Sequence, residues 1–178
     1  MARLLGRLSL LCALLGGGSA WAAPPEAAVK AALVANLAQY AEWPEHAWSG
    51  NTTQASTLIC VAGRGPVVEA LQALDGQLLY GRRISISLRL RPVDGRDCQV
   101  LFLGEGGRPT GEWVQELAAA PVLTVCEGDD FIGHGTMVGL VRENARVAFD
   151  VNLTAVRRAN LRFSAQLLRL ARTIYGRP

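Results

Sequence analysis

The sequence predicts an α/β fold: a mostly parallel sheet with flanking helices, a C-terminal antiparallel hairpin and two terminal helical segments. Three observations carry this. The short apolar runs TLICVAG (57–63), CQVLFLG (98–104) and VLTVC (122–126) lack polar alternation, as strands buried on both faces require. Segments of helical pattern stand between them, the arrangement that yields parallel strands joined by crossovers. Lastly, TMVGLVRENARVAFDVN (136–152) reads as two strands joined by a tight turn.

Each element follows from local chemistry. Residues 26–42 repeat apolar side chains at helical spacing (Val29, Ala32, Leu33, Leu37, Tyr40). Trp43-Pro44 ends that helix, because a residue before proline is pushed out of the helical region. SGNTTQAS (49–56) is a polar loop before the first buried strand. A Gly63-Arg64-Gly65 turn then leads into the helix PVVEALQALDG (66–76), stopped by Gly76. GRRISISLRLR (81–91) alternates: Ile84, Ile86, Leu88 and Leu90 on one face, Ser85, Ser87, Arg89 and Arg91 on the other. That pattern predicts a half-exposed, edge-like strand. After the strand at 98–104, residues 111–119 predict a short helix, and Pro121 introduces the strand at 122–126. EGDDFIGHG (127–135) reads as a loop, and Glu143-Asn144 as the hairpin turn, with asparagine available for positive φ. DVNLTAVRRANLRFSAQLLRLA (150–171) predicts two helical pieces broken at Ala159-Asn160. Asn160 suits a left-handed cap, and Phe163, Leu167, Leu170, Ala171 and Ile174 form one continuous helical stripe.

Arg3 and Arg7, the apolar LSLLCALLGGG and the small-residue pair around Trp21 predict a secretory signal peptide over 1–22, leaving one domain over 23–178. Removing those two arginines lowers the basic count from 18 to 16 against 15 acidic residues, so the remaining chain is close to neutral. Near-neutrality does not indicate a nucleic-acid partner. The expected compartment is the periplasm. No later apolar run approaches the ~18 residues of a membrane span.

Candidate chemistry is sparse. GRGP (63–66) sits where a doubly wound fold binds phosphate, but the third glycine of the fingerprint is missing. His46 and His134 are the only histidines and have no spacing that suggests a metal site, and no nucleophile elbow occurs. Glu127, Asp129 and Asp130 cluster in one loop without the alternating ligands of a calcium site. Catalytic residues, metal ligands and cofactors are therefore not assigned. Cys60 and Cys98 enter strands that a doubly wound order makes neighbours, so they are expected to form a disulfide; the alternative is two buried thiols, unusual in an exported protein. Cys126 is then left free.

Two stretches, VKAALVANLAQYAEWP (29–44) and VGLVRENARVAFDVNLTAVRRANLRFSAQLLRLA (138–171), together with LDGQLLYGRRISISLRL and DCQVLFLG, resemble the YfiR family of small periplasmic proteins. Trp43-Pro44, Asn152-Leu153, Arg158, Leu161, Ser164 and Leu167-Leu168 carry the likeness. The resemblance implies no enzymatic activity. It implies an inhibitor that binds the periplasmic portion of an inner-membrane diguanylate cyclase and lowers cyclic-di-GMP, hence biofilm. It further implies an outer-membrane lipoprotein able to titrate the inhibitor away, and a homodimer that responds to redox state through its disulfides. Cys60 and Cys98 match the family's first disulfide, whereas Cys126 lacks the partner of the second. Leu33, Val34, Ala35 and Leu37 stand where the family's first helix is commonly rich in Phe and Tyr. Expected partner-binding residues are Trp43, Pro44, Leu168, Arg169 and Arg172, which combine aromatic, apolar and arginine character. The competing expectation is a periplasmic small-ligand sensor holding a metabolite at the strand C-terminal ends, lined by Gly63, Arg64, Gly65, Glu127, Asp129 and Asp130. A hydrolase of envelope polymers has only that acidic loop in its favour.

Overall fold

The computed structural model describes residues 25–48 and 56–176. The expected signal peptide (1–22) and most of the polar loop at 49–56 lie outside the described residues. Helix α1 (Glu26–Tyr40) leads through β1 (Ala41–Glu42) and a 3-10 turn (Glu45–Trp48) to β2 (Ser56–Ala62), α2 (Pro66–Gln72), β3 (Leu78–Leu79) and β4 (Arg82–Leu88). A second 3-10 turn (Pro92–Gly95) precedes β5 (Val100–Leu103), α3 (Thr110–Leu117), β6 (Leu123–Glu127), α4 (Phe131–His134) and β7 (Val138–Glu143). The chain ends with β8 (Arg146–Asn152), α5 (Leu153–Arg158), β9 (Arg162–Phe163), α6 (Ala165–Leu170) and β10 (Thr173–Tyr175).

The main sheet has the order β10-β8-β7-β6-β5-β2-β4-β3. Strands β4, β2, β5, β6 and β7 are parallel, β8 returns antiparallel to β7, and β10 runs parallel to β8. From β2 the chain steps first to β4 on one side and then to β5 on the other, so the topological switch point lies between β2 and β5. A separate two-stranded ribbon joins β1 to β9, with Ala41 opposite Phe163 and Glu42 opposite Arg162.

The apolar runs are buried on both faces because helices cover both. Ile59 and Val61 face the larger core with Leu37, Leu71, Phe102 and Leu140, beneath α1 and α2. Cys60 and Ala62, the alternate residues of β2, face the second core with Leu101, Trp113, Leu117 and Phe131, beneath α3 and α4. Burying a side chain such as Leu37 or Phe102, both 0 % exposed, stabilises by about 1.5–3 kcal/mol. No helix among the described residues is long and apolar enough to cross a membrane.

The structure bears out the fold class and moves several boundaries. The hairpin turn is Asn144-Ala145, one residue later than expected; both residues have positive φ, 47° and 61°, as the tight turn between twisted strands demands. Asn160 is left-handed (φ 56°), as the sequence predicts. The continuous stripe from Phe163 to Ile174 is wrong. Phe163 belongs to β9, α6 is only six residues, and Ile174 lies in β10. Leu170, at 63 % exposed, faces solvent. Ser164 restarts the helix by accepting the Leu167 amide on its hydroxyl at 3.2 Å. Beyond Ala171 the chain turns extended, and Thr173 to Tyr175 pair with Asp150 to Asn152. The loop at 127–135 also holds α4, closed by left-handed Gly135.

Candidate functional site

Trp43 and Pro44 leave the C-terminal end of α1 just past the β1–β9 ribbon. Proline holds Trp43 extended, which sets the indole beside the α5–β9 connection rather than in another helical turn. The two residues line an open cleft of about 810 Å³ with Glu42, Glu45, Arg157, Asn160, Leu161 and Arg162. Left-handed Asn160 reverses the chain between α5 and β9 and so brings Arg157 and Arg162 to one rim. Glu42 stands directly opposite Arg162 in the ribbon. Its floor is apolar, since Leu161 is 1 % exposed and Trp43 packs against the larger core. Two carboxylates and two guanidinium groups around an indole make a cleft suited to an amphipathic protein segment.

The other expected contact residues separate by role. Arg169 is exposed on α6, whereas Leu168 is half-buried against the larger core. Arg172 grips Asp150, a carboxylate 1 % exposed, with Nε at 2.9 Å and Nη2 at 2.5 Å, and reaches Asp129 at 3.4 Å. That fork on Asp150 holds the Arg172 guanidinium still more firmly protonated than usual. The Arg172 amide also donates to the Phe149 carbonyl at 2.9 Å, so this residue ties β10 to β8. The sequence did not reveal Arg157, Arg162, Glu42 or Glu45 as neighbours of Trp43. The two-residue ribbon that joins them is too short to show a period, and the Trp-Pro pair was the only local signal.

The residues of the ligand-sensor expectation sit at the opposite, C-terminal ends of the strands. There the switch-point crevice is filled by the chain itself. The Arg64 amide donates to the Glu105 carbonyl at 2.8 Å, and the Glu105 amide returns to Arg64 at 2.9 Å. Gly63 (φ 83°) is required by this closeness, because a Cβ there would lie 2.6 Å from the Glu105 carbonyl oxygen. Glu127, Asp129 and Asp130 diverge. Glu127 meets Lys30 at 2.7 Å, Asp129 meets Arg172, and Asp130 lies 3.7 Å from His134, an ion pair only when that imidazole is protonated. No group of three or more His, Cys, Asp or Glu residues able to hold a metal occurs among the described residues.

Cys60 and Cys98 form the expected disulfide, with their Cα atoms 5.8 Å apart. Cys126 is free and buried near the end of β6. Burial pushes its thiol up to about 11, partly offset by a hydrogen bond with Thr136. A bond between copies through Cys126 would require the strand end to open.

Comparison with known proteins places this geometry. The sequence pattern of the YfiR/HmsC-like family matches residues 27–172. Among solved structures, the chain is similar to a conserved domain protein from Vibrio cholerae O1 biovar El Tor, with TM-score 0.51 and 10% identity over 68% of this chain and 55% of that one. It is also similar to an ABC domain from Streptococcus pneumonia determined in complex with L-Trp, with TM-score 0.52 and 8% identity over 84% of this chain and 60% of that one. The chain thus spans little more than half the length of either structure, and at such identity the likeness is one of fold.

Proposed function

Because this chain belongs to the YfiR/HmsC-like family, we propose that it is a periplasmic regulator that represses an inner-membrane diguanylate cyclase. It binds the cyclase's periplasmic portion and lowers cyclic-di-GMP signalling, and with it biofilm formation, without catalysing a reaction of its own. The match across residues 27–172, which takes in both Trp43-Pro44 and the α5–α6 segment, carries this reading. The cleft supports it by offering an aromatic, apolar and arginine-bearing surface of the kind that anchors protein interfaces.

Repression on this reading is a population shift. The regulator binds the inactive state of the cyclase more tightly than the active one, by about 5.5 kcal/mol for a near-complete switch. Trp43 and Pro44 fill the centre of the docking surface, and Arg169, Leu168 and the outer edge of Arg172 extend it along α6. An outer-membrane lipoprotein that competes for the regulator, and a homodimer, complete the family scheme. The ligand-sensor reading has less support, since the Arg64–Glu105 pairing occupies the crevice it needs.

Trp43→Ala and Arg169→Glu test the surface, because neither touches the Asp150 ion pair. Each variant is expressed in a strain lacking the gene, and cyclic-di-GMP is measured. Failure of both to restore repression, with normal periplasmic levels, is expected. Full repression by both would remove this surface from the account.

A further inference from the structure

The outer edge of β4 is a second surface, and it shares no residue with the Trp43 cleft. The Arg89 amide donates to the Val61 carbonyl of β2 at 2.8 Å. The alternate residues Ile84, Ile86 and Leu88 therefore turn their backbone groups outward. The chain covers the first part of that rim itself. β3 pairs with Arg82 and Arg83, the Ile84 amide donates to Gln77 at 2.8 Å, and the Ile86 amide donates to Asp75 Oδ1 at 2.8 Å. From Leu88 onward no strand of the described residues lies beside β4.

This uncovered stretch is apolar as well as open. Five of the ten exposed large hydrophobic residues among the described ones fall within 78–93: Leu78, Tyr80, Leu88, Leu90 and Val93. Leu90 is 72 % exposed. Soluble proteins blunt such edges, because unpaired amides beside exposed leucines invite another strand.

Charge decides what kind of strand. Arg82, Arg83, Arg89 and Arg91 line the edge against two carboxylates, Asp75 and Asp94. Asp75 is engaged by the Ile86 amide, and Asp94 by Arg91 at 2.8 and 2.9 Å. Arg82 and Arg83 donate to the carbonyls of Ser56 and Gly76 rather than to carboxylates. Arg89 Nε is buried with no acceptor, an unsatisfied donor at the rim. A second copy of this chain would bring more guanidinium groups to the same line, whereas an acidic strand would supply the missing acceptors.

We propose that the β4 edge from Leu88 to Val93 takes an extended, acidic segment of a protein partner as an added strand. Its backbone completes the Leu88 rim, its apolar side chains cover Leu88 and Leu90, and its carboxylates meet Arg89 and its neighbours. The surface is separate from the cleft, so it stands or falls independently of cyclase repression.

The test uses a fluorescein-labelled nonapeptide of alternating valine and glutamate, titrated with the mature protein by fluorescence anisotropy. Two control peptides carry lysine in place of glutamate or N-methyl groups on four consecutive central residues, which block both hydrogen-bonding edges. Saturable binding of the glutamate peptide is expected, at least tenfold weaker for either control and for Leu88→Lys/Leu90→Lys, whose thermal melt should match the wild type. Absence of saturable binding overturns the proposal, as does equal binding of the N-methylated peptide. A dimer in sedimentation equilibrium that the same double substitution dissolves would assign the edge to a second copy and overturn it too.

Discussion

Replacing Cys60 and Cys98 together by alanine should remove about 4 kcal/mol of stability. The two residues are separated by 38 positions. In the chain-entropy relation a loop of that size costs about 13 cal/mol/K to close, or about 4 kcal/mol at 25 °C, a cost the oxidised unfolded chain has already met. The closed loop contains α2, β3 and β4, the whole crossover on one side of the switch point, so the freed segment has much conformational entropy to regain. Both sulfurs are buried in the second core, and the alanines add a small packing loss to the same sign. The assay is equilibrium urea unfolding. With a slope of about 2 kcal/mol/M, the midpoint should fall by about 2 M, and the slope should rise because the open unfolded chain exposes more surface. Wild-type protein unfolded with reductant should track the variant. A midpoint change below about 0.5 M would refute the loop-entropy reasoning.

Three further outcomes follow from buried groups. Burial raises the Cys126 thiol from 9.0 to about 11, so its contribution is complete below pH 9 and is lost as pH rises to about 11, by about 2–3 kcal/mol; Cys126→Ala should flatten that alkaline decline in urea midpoints, and an unchanged profile would contradict it. Asp150→Asn breaks the charged fork of Arg172, and hydrogen exchange at Arg172 and Thr173–Tyr175 should quicken at least tenfold while β5 and β6 keep their protection; uniform acceleration would mean the pair stabilises the whole fold instead. Gly139→Ala drives a Cβ into the Phe131 ring, and should destabilise by about 1–3 kcal/mol in thermal or urea melts; a neutral effect would show that α4 yields.

What the sequence disclosed depended on the range of the interaction. The buried runs around Cys60, Phe102 and Val125 announce themselves, because a strand covered on both faces must be apolar throughout. The alternation from Ile84 to Leu90 likewise marks β4 as half-exposed, and β3, which protects its edge, is a pair of residues with no periodic signal. The last third was harder. Asn160 declares its left-handed turn through its side chain, yet Phe163, Leu167 and Ile174 keep helical spacing while the chain is strand, helix and strand in turn. Ser164 could have signalled the restart, being a capping residue in the middle of the supposed helix. Trp43-Pro44 stood out as a helix terminator. Its cleft neighbours Arg157 and Arg162 are supplied by a long-range ribbon that no local pattern encodes. Arg172 looks like a surface cation in sequence, and only the fold reveals the buried Asp150 beneath it.

Cellular cyclic-di-GMP tests the central claim most directly, measured after deleting this gene and again after restoring it in exported and leaderless forms. Repression of a membrane cyclase from the periplasm predicts that the nucleotide rises on deletion, returns to its original level with the exported protein, and stays high with the leaderless one. An unchanged level on deletion, or equal rescue by the leaderless form, would contradict the account.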